Sequence, residues 1–394
     1  MKKVKYALIG LGQRGNTLWD GSIKNIETAE CIAVCDMDKE KCDKFVAHLK
    51  ENGFPEPAAY TDFRECIDKA KPEAVVVAAS WEAHIAVSLY AMQKGIAVGC
   101  EVGGAYSVES LWKIVRCYEE TKTPIMMLEN CCFGRKELLA LNMKRLGLLG
   151  EIVHVDGGYC HDLRDEILGG KTYRLQEYIH RNAENYPTHE IGPIAKLLDI
   201  GTGNRFISLQ SFGSKSAGLE AHVKDKKMEN LYGVKFNQAD VVTTVIKCQN
   251  GETVTITLDT TLPRYYSRKF CVHGTKGIIN EENSSVYLGD EYTEEIWDWS
   301  PHYNNINEYY EKYDHKLWKG YDPHGGHGGM DFLCMSAFFN AVRDKTPMPI
   351  DVYDMACWMV ITVLSEQSLA TGNAIAFPDF TEGKWILRKN DFLL

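Results

Sequence analysis

The sequence predicts an α/β fold in which a doubly wound parallel sheet is followed by an α+β domain with a mostly antiparallel, open sheet. Short apolar segments alternate with helical patterns early in the chain, whereas the later strand-like segments follow one another with little helix between them. The first pattern is typical of βαβ units and the second of antiparallel pairing. A chain of 394 residues also exceeds the usual size of a single hydrophobic core, so we expect two domains.

The first domain is expected at residues 1–128 and binds a dinucleotide. Its predicted strands are VKYALIG, CIAVCD, EAVVVAAS, IAVGCE and PIMMLEN. The helical patterns between them include KEKCDKFVAHLKEN, AHIAVSLYAMQKG and VESLWKIVRCYEETK. Ligands bind outside the carboxyl ends of parallel strands, so residues at those ends are the first candidates for a site.

The second domain is expected at residues 129–394 and binds the substrate. It begins with a helix at KELLALNMKRLG, and its strand-like segments are EIVHVDGGYC, FISLQSFG, DVVTTVIKC, TVTITLDTT and KFCVHGT. The segment IGPIAKLLDI supplies a helix on one face of the sheet. The apolar helix YDMACWMVITVLSEQSLATG is expected to pack back on the core.

Net charge, cysteine pattern and hydropathy limit the possible partners of the protein and its location. Lys and Arg number 44 and Asp and Glu 54, a net charge of −10 without long runs of one sign, which argues against nucleic acid and anionic membranes. The 13 cysteines include no CxxC pair and are expected to be reduced, mostly buried thiols. The apolar run of the N-terminus breaks at glycines, and no segment has the length of a membrane span, so we expect a cytoplasmic protein.

The stretch IGLGQRG predicts a dinucleotide site of the Rossmann type. Gly10, Gly12 and Gly15 follow the first strand and open a helix, as G-x-G-x-x-G requires for a tight turn, close approach to pyrophosphate and helix packing. The motif alone is equally typical of a glycine-rich turn. Asp36 closes the second strand, where an acid accepts hydrogen bonds from ribose hydroxyls. No arginine follows it, so NAD is favoured over NADP.

Other residues at strand ends are expected to face the same crevice. They are Trp81 and His84 in SWEAH, Glu101 and Val102 in CEV, and Asn130 in LEN. His84, taken alone, is equally typical of a helix surface. His324 and His327 in PHGGHGG suggest a metal site, but the surrounding glycines and the lack of a nearby carboxylate pattern favour a flexible pocket wall, and we expect no metal.

The stretch YPTH has two interpretations. Tyr186 and His189 are three residues apart at the start of a helical run, so both side chains can face one cavity. Imidazole and phenol are both suited to proton transfer. Alternatively Pro187 is preset for the first turn, Thr188 caps the helix and the histidine is structural. A nicotinamide nearby favours the first interpretation.

Several motifs resemble a known family. The chain as a whole, with GLGQRG and CEV, resembles the Gfo/Idh/MocA oxidoreductase-like family, although Glu101-Val102-Gly103 stands where many members have Glu-Lys-Pro with a proton-transferring lysine. More specifically, ENCCFG, YPTHEIGP, PRYYSR, GGHGGMDF and DVYDMACW resemble the NAD-dependent glycosidases of glycoside hydrolase family 109, known for α-N-acetylgalactosaminidase activity. The chain departs from that branch at Glu190, Gly103 and Phe133, where glycine, proline and tyrosine are usual.

The resemblance implies positions for both ligands. The implied NAD contacts are Gln13, Arg14, Asp36, Trp81, His84, Glu101, Val102, Asn130 and His189. The implied sugar contacts are Tyr159, Arg174, Tyr186 and Tyr266.

We therefore expect an NAD-dependent glycosidase that oxidises sugar C3 transiently, eliminates the aglycone, adds water and re-reduces the sugar. His189 and Tyr186 are expected to transfer protons, with Tyr159 as an alternative base, and Arg174 to bind a hydroxyl or acyl oxygen. The alternatives are an NAD-dependent sugar or cyclitol dehydrogenase with net redox turnover and a non-catalytic NAD(H)-binding sensor. The expected partners are a carbohydrate and, through the open sheet, further copies of the chain.

Overall fold

The computed structural model describes residues 2–169, 172–289, 297 and 300–393. The strands are β1 Val4–Ile9, β2 Ala29–Cys35, β3 Ala58–Tyr60, β4 Ala74–Val77, β5 Ala97–Cys100, β6 Ile125–Met127, β7 Ile152–Cys160, β8 Phe206–Gly213, β9 Val241–Cys248, β10 Thr253–Asp259, β11 Cys271–Gly274, β12 Gly277–Asn280, β13 Ser285–Leu288 and β14 Ile375–Ala376. The helices are α1 Gln13–Gly21, α2 Lys39–Glu51, α3 Phe63–Ala70, α4 Trp81–Gln93, α5 Val108–Thr121, α6 Arg135–Arg145, α7 Arg164–Gly169, α8 Thr172–His180, α9 Thr188–Leu197, α10 Gly218–Asp225, α11 Ile306–Tyr313, α12 Met330–Asp344 and α13 Val352–Thr371.

The first sheet has six parallel strands in the order β3-β2-β1-β4-β5-β6. This order is that of a doubly wound dinucleotide-binding fold and confirms the predicted class. All four residues of β4 are fully buried, as expected for a strand covered by helices on both faces. Sequence analysis missed β3 and α3, because β3 has only three residues and none of them is buried.

The second sheet has eight strands in the order β13-β12-β11-β7-β10-β9-β8-β14. The β7–β10 pair is parallel and every other neighbouring pair is antiparallel, which confirms a mostly antiparallel sheet. In β9 buried residues alternate with partly or fully exposed ones, so one face is covered and the other is open. The short strands β12, β13 and β14 were not predicted.

Helix α9 packs closely on the covered face of this sheet. A Cβ atom placed on Gly157 of β7 would lie 2.8 Å from the Ile194 side chain and 2.9 Å from Cβ of Glu190. Glycine at this strand position therefore lets the helix approach the sheet backbone. The close packing fixes the first turn of α9, which carries His189.

The residues form two compact units that are not continuous along the chain. One comprises Met1–Phe133, Gly320–Met359 and Asp391–Leu394, and the other Gly134–Lys319 and Val360–Asn390. The parallel sheet belongs to the first and the large mixed sheet to the second. The division into 1–128 and 129–394 follows the order of the chain and stays a prediction. In the part of the chain that the structure describes, no helix is both long and apolar enough to span a membrane.

Candidate functional site

The turn between β1 and α1 has the geometry that a bound pyrophosphate needs. Gly10 has φ +97, and a Cβ atom there would lie 2.4 Å from the backbone nitrogen of Ala79. A Cβ on Gly15 would lie 2.1 Å from the carbonyl oxygen of Gly10, whereas one on Gly12 would meet nothing within 4 Å. Gly10 and Gly15 are thus required by the fold. Gly12 lies at the N-terminus of α1, and the absence of a side chain there leaves open space at the positive end of the helix dipole.

This contrast predicts different effects for two glycine substitutions. We expect Gly12→Ala to leave the melting temperature unchanged and to raise the Kd for NAD by about 10- to 100-fold, because a methyl group would displace the phosphate from its charged hydrogen bonds. Gly15→Ala should lower the melting temperature. Calorimetric titration and thermal melts measure both quantities, with Gly289→Ala as a control in a remote loop. Unchanged NAD affinity in Gly12→Ala would contradict the assignment of this turn.

Asp36 lies immediately after β2 and is held against the glycine turn. Its Oδ2 accepts the backbone N–H of Leu11 at 2.9 Å, and its Oδ1 accepts that of Asp38 at 3.0 Å. The Lys41 ammonium lies 3.7 Å from Oδ1. Each carboxylate oxygen retains a lone pair, so the group can still accept hydrogen bonds from ribose hydroxyls.

His84 braces the loop after β5. The ring is 1% exposed, with Nδ1 3.0 Å from the carbonyl of Gly103 and Nε2 3.1 Å from that of Ala79. Burial lowers the pKa of His84, so the ring is neutral and can donate only one of these hydrogen bonds at a time. Gly103 has φ +83, which proline cannot adopt, and its Cα faces the ring of Trp81. This backbone conformation explains glycine at position 103.

Arg14 is clamped between two buried carboxylates in the first unit. Its Nε donates to Glu101 at 2.9 Å, and its two terminal nitrogens donate to Asp331 at 2.8 and 3.1 Å. Asp331 is 1% exposed and also accepts the Asn130 amide at 2.6 Å. The guanidinium of a predicted cofactor contact is therefore held in one orientation by bidentate pairing.

Asp331, which was not predicted from the sequence, also contacts the second histidine of PHGGHGG. His327 Nδ1 lies 2.9 Å from Asp331 Oδ2. Burial alone would raise the pKa of Asp331, but hydrogen bonds from His327 and Arg14 outweigh it and hold the pKa well below its usual range. The inference that PHGGHGG lacks a nearby carboxylate was wrong, because the chain turns at Gly328 and brings Asp331, four residues after His327, back to the imidazole. The signal was GGMDF, in which the acid follows the glycines after one residue.

A cluster of aromatic rings in the second unit contains the three predicted catalytic residues. Tyr159 of β7 stacks on Tyr186 with ring centroids 4.4 Å apart and planes at 20°. His189 meets both rings edge-on, at 5.3 Å from Tyr159 and 4.9 Å from Tyr186. The three-residue spacing in YPTH and the adjacent strand thus bring two phenols and one imidazole together. We call these three residues the ring cluster.

Two of the predicted sugar contacts lie around the ring cluster. The Arg174 guanidinium carbon lies 5.8 Å from the Tyr186 ring centroid, and one terminal nitrogen pairs with Glu166 at 3.0 Å. His161 lies 5.3 Å from the ring of Tyr266. Glu166 and His161 were not predicted. The signal for His161 was its place two residues after Tyr159, just beyond the end of β7, where the strand alternation still puts both rings on one side, 6.2 Å apart.

The start of α9 differs from the capping interpretation. The helix begins at Thr188 with Pro187 in the cap position, and no side chain makes a capping hydrogen bond. The proposed cap by Thr188 was therefore wrong, because its side chain lies inside the helix and is 2% exposed. Glu190 is 1% exposed and packs against Gly157, which leaves room for a side chain larger than the usual glycine.

A buried acid that was not predicted from the sequence, Glu184, lies two residues before Tyr186. Burial raises the pKa of Glu184 to about 8, against the opposing effect of the backbone N–H groups of Tyr186 and Leu258. The carboxyl group is thus mostly protonated at neutral pH. Its backbone N–H donates to the Ser365 hydroxyl at 2.8 Å, which anchors the segment before Tyr186.

Together these features define a class of two-domain proteins in which a Rossmann domain of the dinucleotide-binding type is joined to an open-sheet domain that carries a cluster of two phenols and one imidazole. Residues 4–128 match the model of the oxidoreductase family, NAD-binding Rossmann fold. Residues 133–387 match that of the glycosyl hydrolase 109 C-terminal domain. The chain belongs to glycosyl hydrolase family 109 and is a glycosidase, which confirms the resemblance found in its motifs.

Named relatives cover nearly the whole chain. An alpha-N-acetylgalactosaminidase of Tannerella forsythia is 38% identical over 99% of this chain and 89% of its own length. A glycosyl hydrolase family 109 protein of Parabacteroides distasonis is 37% identical over 100% and 90%. A scyllo-inositol dehydrogenase of Lactobacillus casei, solved with NAD(H) and scyllo-inositol, has a TM-score of 0.67 and 14% identity over 95% of this chain and 99% of its own. The last likeness concerns the fold alone.

Proposed function

We propose that this glycosidase uses NAD and acts on α-N-acetylgalactosaminides. The observation that carries the proposal is the ring cluster of the second unit, in which the rings of Tyr186 and His189 are in contact. The alpha-N-acetylgalactosaminidase at 38% identity supports the substrate class. In this mechanism sugar C3 is oxidised and later re-reduced, so bond cleavage proceeds without net redox change.

The first unit would hold the cofactor through the glycine turn, Asp36 and the clamped Arg14. The room beside Gly12 fits a pyrophosphate, and the Asp36 carboxylate fits a ribose without a 2′-phosphate. The chemistry that bound NAD would supply is reversible hydride transfer at sugar C3. His84 and Asp331 would act indirectly, by bracing the loop after β5 and by orienting Arg14.

Proton transfer is assigned to His189 and Tyr186. One proton must leave the C3 hydroxyl as the hydride departs, and a second must leave C2, which the new ketone has made acidic. An imidazole beside a phenol can take up and release such protons near neutral pH. The Arg174 guanidinium carbon lies 5.8 Å from the centroid of the Tyr186 ring, so a positive charge stands beside this phenol.

Tyr159 is better suited to donate a hydrogen bond than to act as a base. Burial raises its pKa far above the usual value, against the opposing charge of Arg174. The hydroxyl therefore keeps its proton throughout the cycle. We assign the C2 base to the other two members of the ring cluster, and Tyr159 to hydrogen bonding with the sugar.

Arg174 is assigned to a sugar hydroxyl or the acyl oxygen. It is 7% exposed and its pairing with Glu166 holds the guanidinium plane in position. A guanidinium held in one plane presents parallel N–H donors. These donors can select an N-acyl sugar by binding the carbonyl oxygen of its acyl group. Tyr266, which is 47% exposed, would contact the outer part of the substrate.

The alternative within enzymes is a sugar or cyclitol dehydrogenase with net turnover of NAD, since the solved structures of this fold include inositol dehydrogenases. Aryl N-acetyl-α-galactosaminide in D₂O separates the proposals. We expect aglycone release with a catalytic amount of NAD⁺, no lasting NADH, and deuterium at C2 of the product. Stoichiometric NADH would instead indicate a dehydrogenase, and NAD binding with no hydrogen exchange would indicate a sensor.

We also propose that the protein works as a homo-oligomer in the cytoplasm. Phe212 of β8 and Val245 of β9 are 60% and 42% exposed. They lie on the open face of the large sheet, where contact with a second copy would bury apolar surface. Light scattering of the purified protein measures the mass directly, and a monomeric mass would contradict the oligomer.

A further inference from the structure

Four side chains with metal-binding atoms lie on the open face of the large sheet. His154 and Asp156 come from β7, and Cys271 and His273 from the neighbouring strand β11. In the antiparallel register Cys271 pairs with Asp156 and His273 with His154. Because alternate residues of a strand share a face, all four side chains lie on the face opposite Gly157 and α9. We call these residues the His–Asp–Cys cluster.

The ligand atoms of the cluster converge. The Asp156 carboxylate lies between two imidazoles, with Oδ1 3.1 Å from His154 Nε2 and Oδ2 3.2 Å from His273 Nε2. Cys271 Sγ is 3.4 Å from His273 Nε2. Neighbouring ligand atoms of a tetrahedral zinc ion are roughly 3.3–3.8 Å apart, given its bond lengths to nitrogen and sulfur. Small side-chain movements would therefore complete such a site.

A second group orients one of the ligands. The Thr253 hydroxyl of β10 lies 2.8 Å from His154 Nδ1, which turns Nε2 of that ring toward Asp156. Hydrogen bonds of this kind to the outer nitrogen accompany most metal-binding histidines. In the single chain His154 and His273 are 29% and 39% exposed, so an ion can enter before two copies associate through this face, whereas Cys271 is buried.

We propose that the His–Asp–Cys cluster binds one zinc ion, with Asp156, Cys271 and His273 as ligands and His154 as the fourth. A mixed set of imidazole, thiolate and carboxylate groups suits zinc, whereas calcium and magnesium prefer oxygen alone. The site is separate from the ring cluster and from the glycine turn, and it takes no part in the proposed reaction. Its effect is to join β7 to β11 across the sheet.

The test uses the full-length protein, stripped with a chelator, dialysed and titrated with zinc chloride alone. We expect one equivalent to bind per chain and the melting temperature to rise by roughly 3 °C at a hundredfold excess over Kd. Cobalt chloride in place of zinc should give a thiolate-to-metal absorption band in the near ultraviolet. Bound zinc should also protect the Cys271 peptide from alkylation, measured by mass spectrometry.

Substitutions then locate the ion. Cys271→Ser should abolish the cobalt band, and His273→Gln should abolish the zinc-dependent rise in melting temperature. Cys248→Ser, another buried cysteine of the same sheet, should retain both. Thr253→Val leaves every ligand in place and should weaken zinc binding by about 10- to 100-fold, whereas Thr243→Val on the same face should not.

Two results would overturn the proposal. One is a wild-type cobalt complex without a thiolate band. The other is unchanged zinc affinity in both His273→Gln and Thr253→Val, which would place the ion elsewhere. If Cys271→Ser fails to fold, the wild-type cobalt spectrum and the Thr253→Val titration still decide between these outcomes.

Discussion

His189→Ala and Tyr186→Phe should each lower turnover by about 10²- to 10⁴-fold, the usual contribution of a general acid or base. The ring cluster contains both side chains, and the ring centroids are 4.9 Å apart. His189 is 8% exposed and its ring packs on two tyrosines, so its loss should also lower the free energy of unfolding, by about 1–3 kcal/mol. The measurements are turnover of the aryl glycoside, NAD affinity and urea unfolding, on both variants.

A second tyrosine–histidine pair in the same unit provides a matched control. Tyr287 and His302 have ring centroids 4.9 Å apart in the same edge-on arrangement. Tyr287→Phe and His302→Ala should leave turnover unchanged. If His189→Ala and Tyr186→Phe also retain wild-type turnover, the ring cluster is structural and the proton-transfer assignment is wrong.

Asp331→Ala should lower the free energy of unfolding by about 3–5 kcal/mol, because the buried Asn130 amide loses its acceptor and Arg14 loses one of its two carboxylates. The substitution removes the shared acceptor of Arg14, Asn130 and His327. Asp20→Ala is the control, since Asp20 also meets a lysine and a histidine but is 41% exposed. We expect that change to cost less than about 1 kcal/mol. Equal, small losses in urea unfolding would contradict the stabilising role of Asp331.

The contribution of Asp331 to the free energy of unfolding should be lost as the pH falls. The pKa of Asp331 is depressed in the folded state, so the folded protein favours the charged carboxylate. Its contribution is fully present above about pH 5 and declines as the pH falls below about 4, where the unfolded chain takes up the proton first. The free energies of unfolding of the wild type and Asp331→Ala should therefore approach each other as the pH falls below about 4, as urea unfolding at each pH would measure.

The parallel sheet was predictable because its signals are local. Each of β1, β2, β4, β5 and β6 is an apolar run followed by a helical pattern, so neither pairing nor register had to be known. The strand β3 was missed because its three residues are not buried and carry no apolar signal. The large sheet was predictable in outline for the same reason, but its short outer strands were not.

In the candidate site too, contacts between residues close in sequence were predictable, whereas contacts between distant residues were not. Tyr186 and His189 share a helical turn, so their proximity follows from a spacing of three residues. Arg14 and Asp331 are separated by 317 positions, and no pattern in one sequence relates them. Which carboxylate clamps the arginine became evident only when the chain was folded.

The discontinuity of the first unit has a consequence during protein synthesis. The nascent chain presents the glycine turn and Arg14 early, but Asp331 emerges 317 residues later. At ribosomal rates of about 5–20 residues per second, Arg14 waits on the order of tens of seconds for its second carboxylate. Over that interval the parallel sheet exists without the returning segment Gly320–Met359. The N-terminal nucleotide-binding region should thus mature late, and chaperones would meet it in an unfinished state.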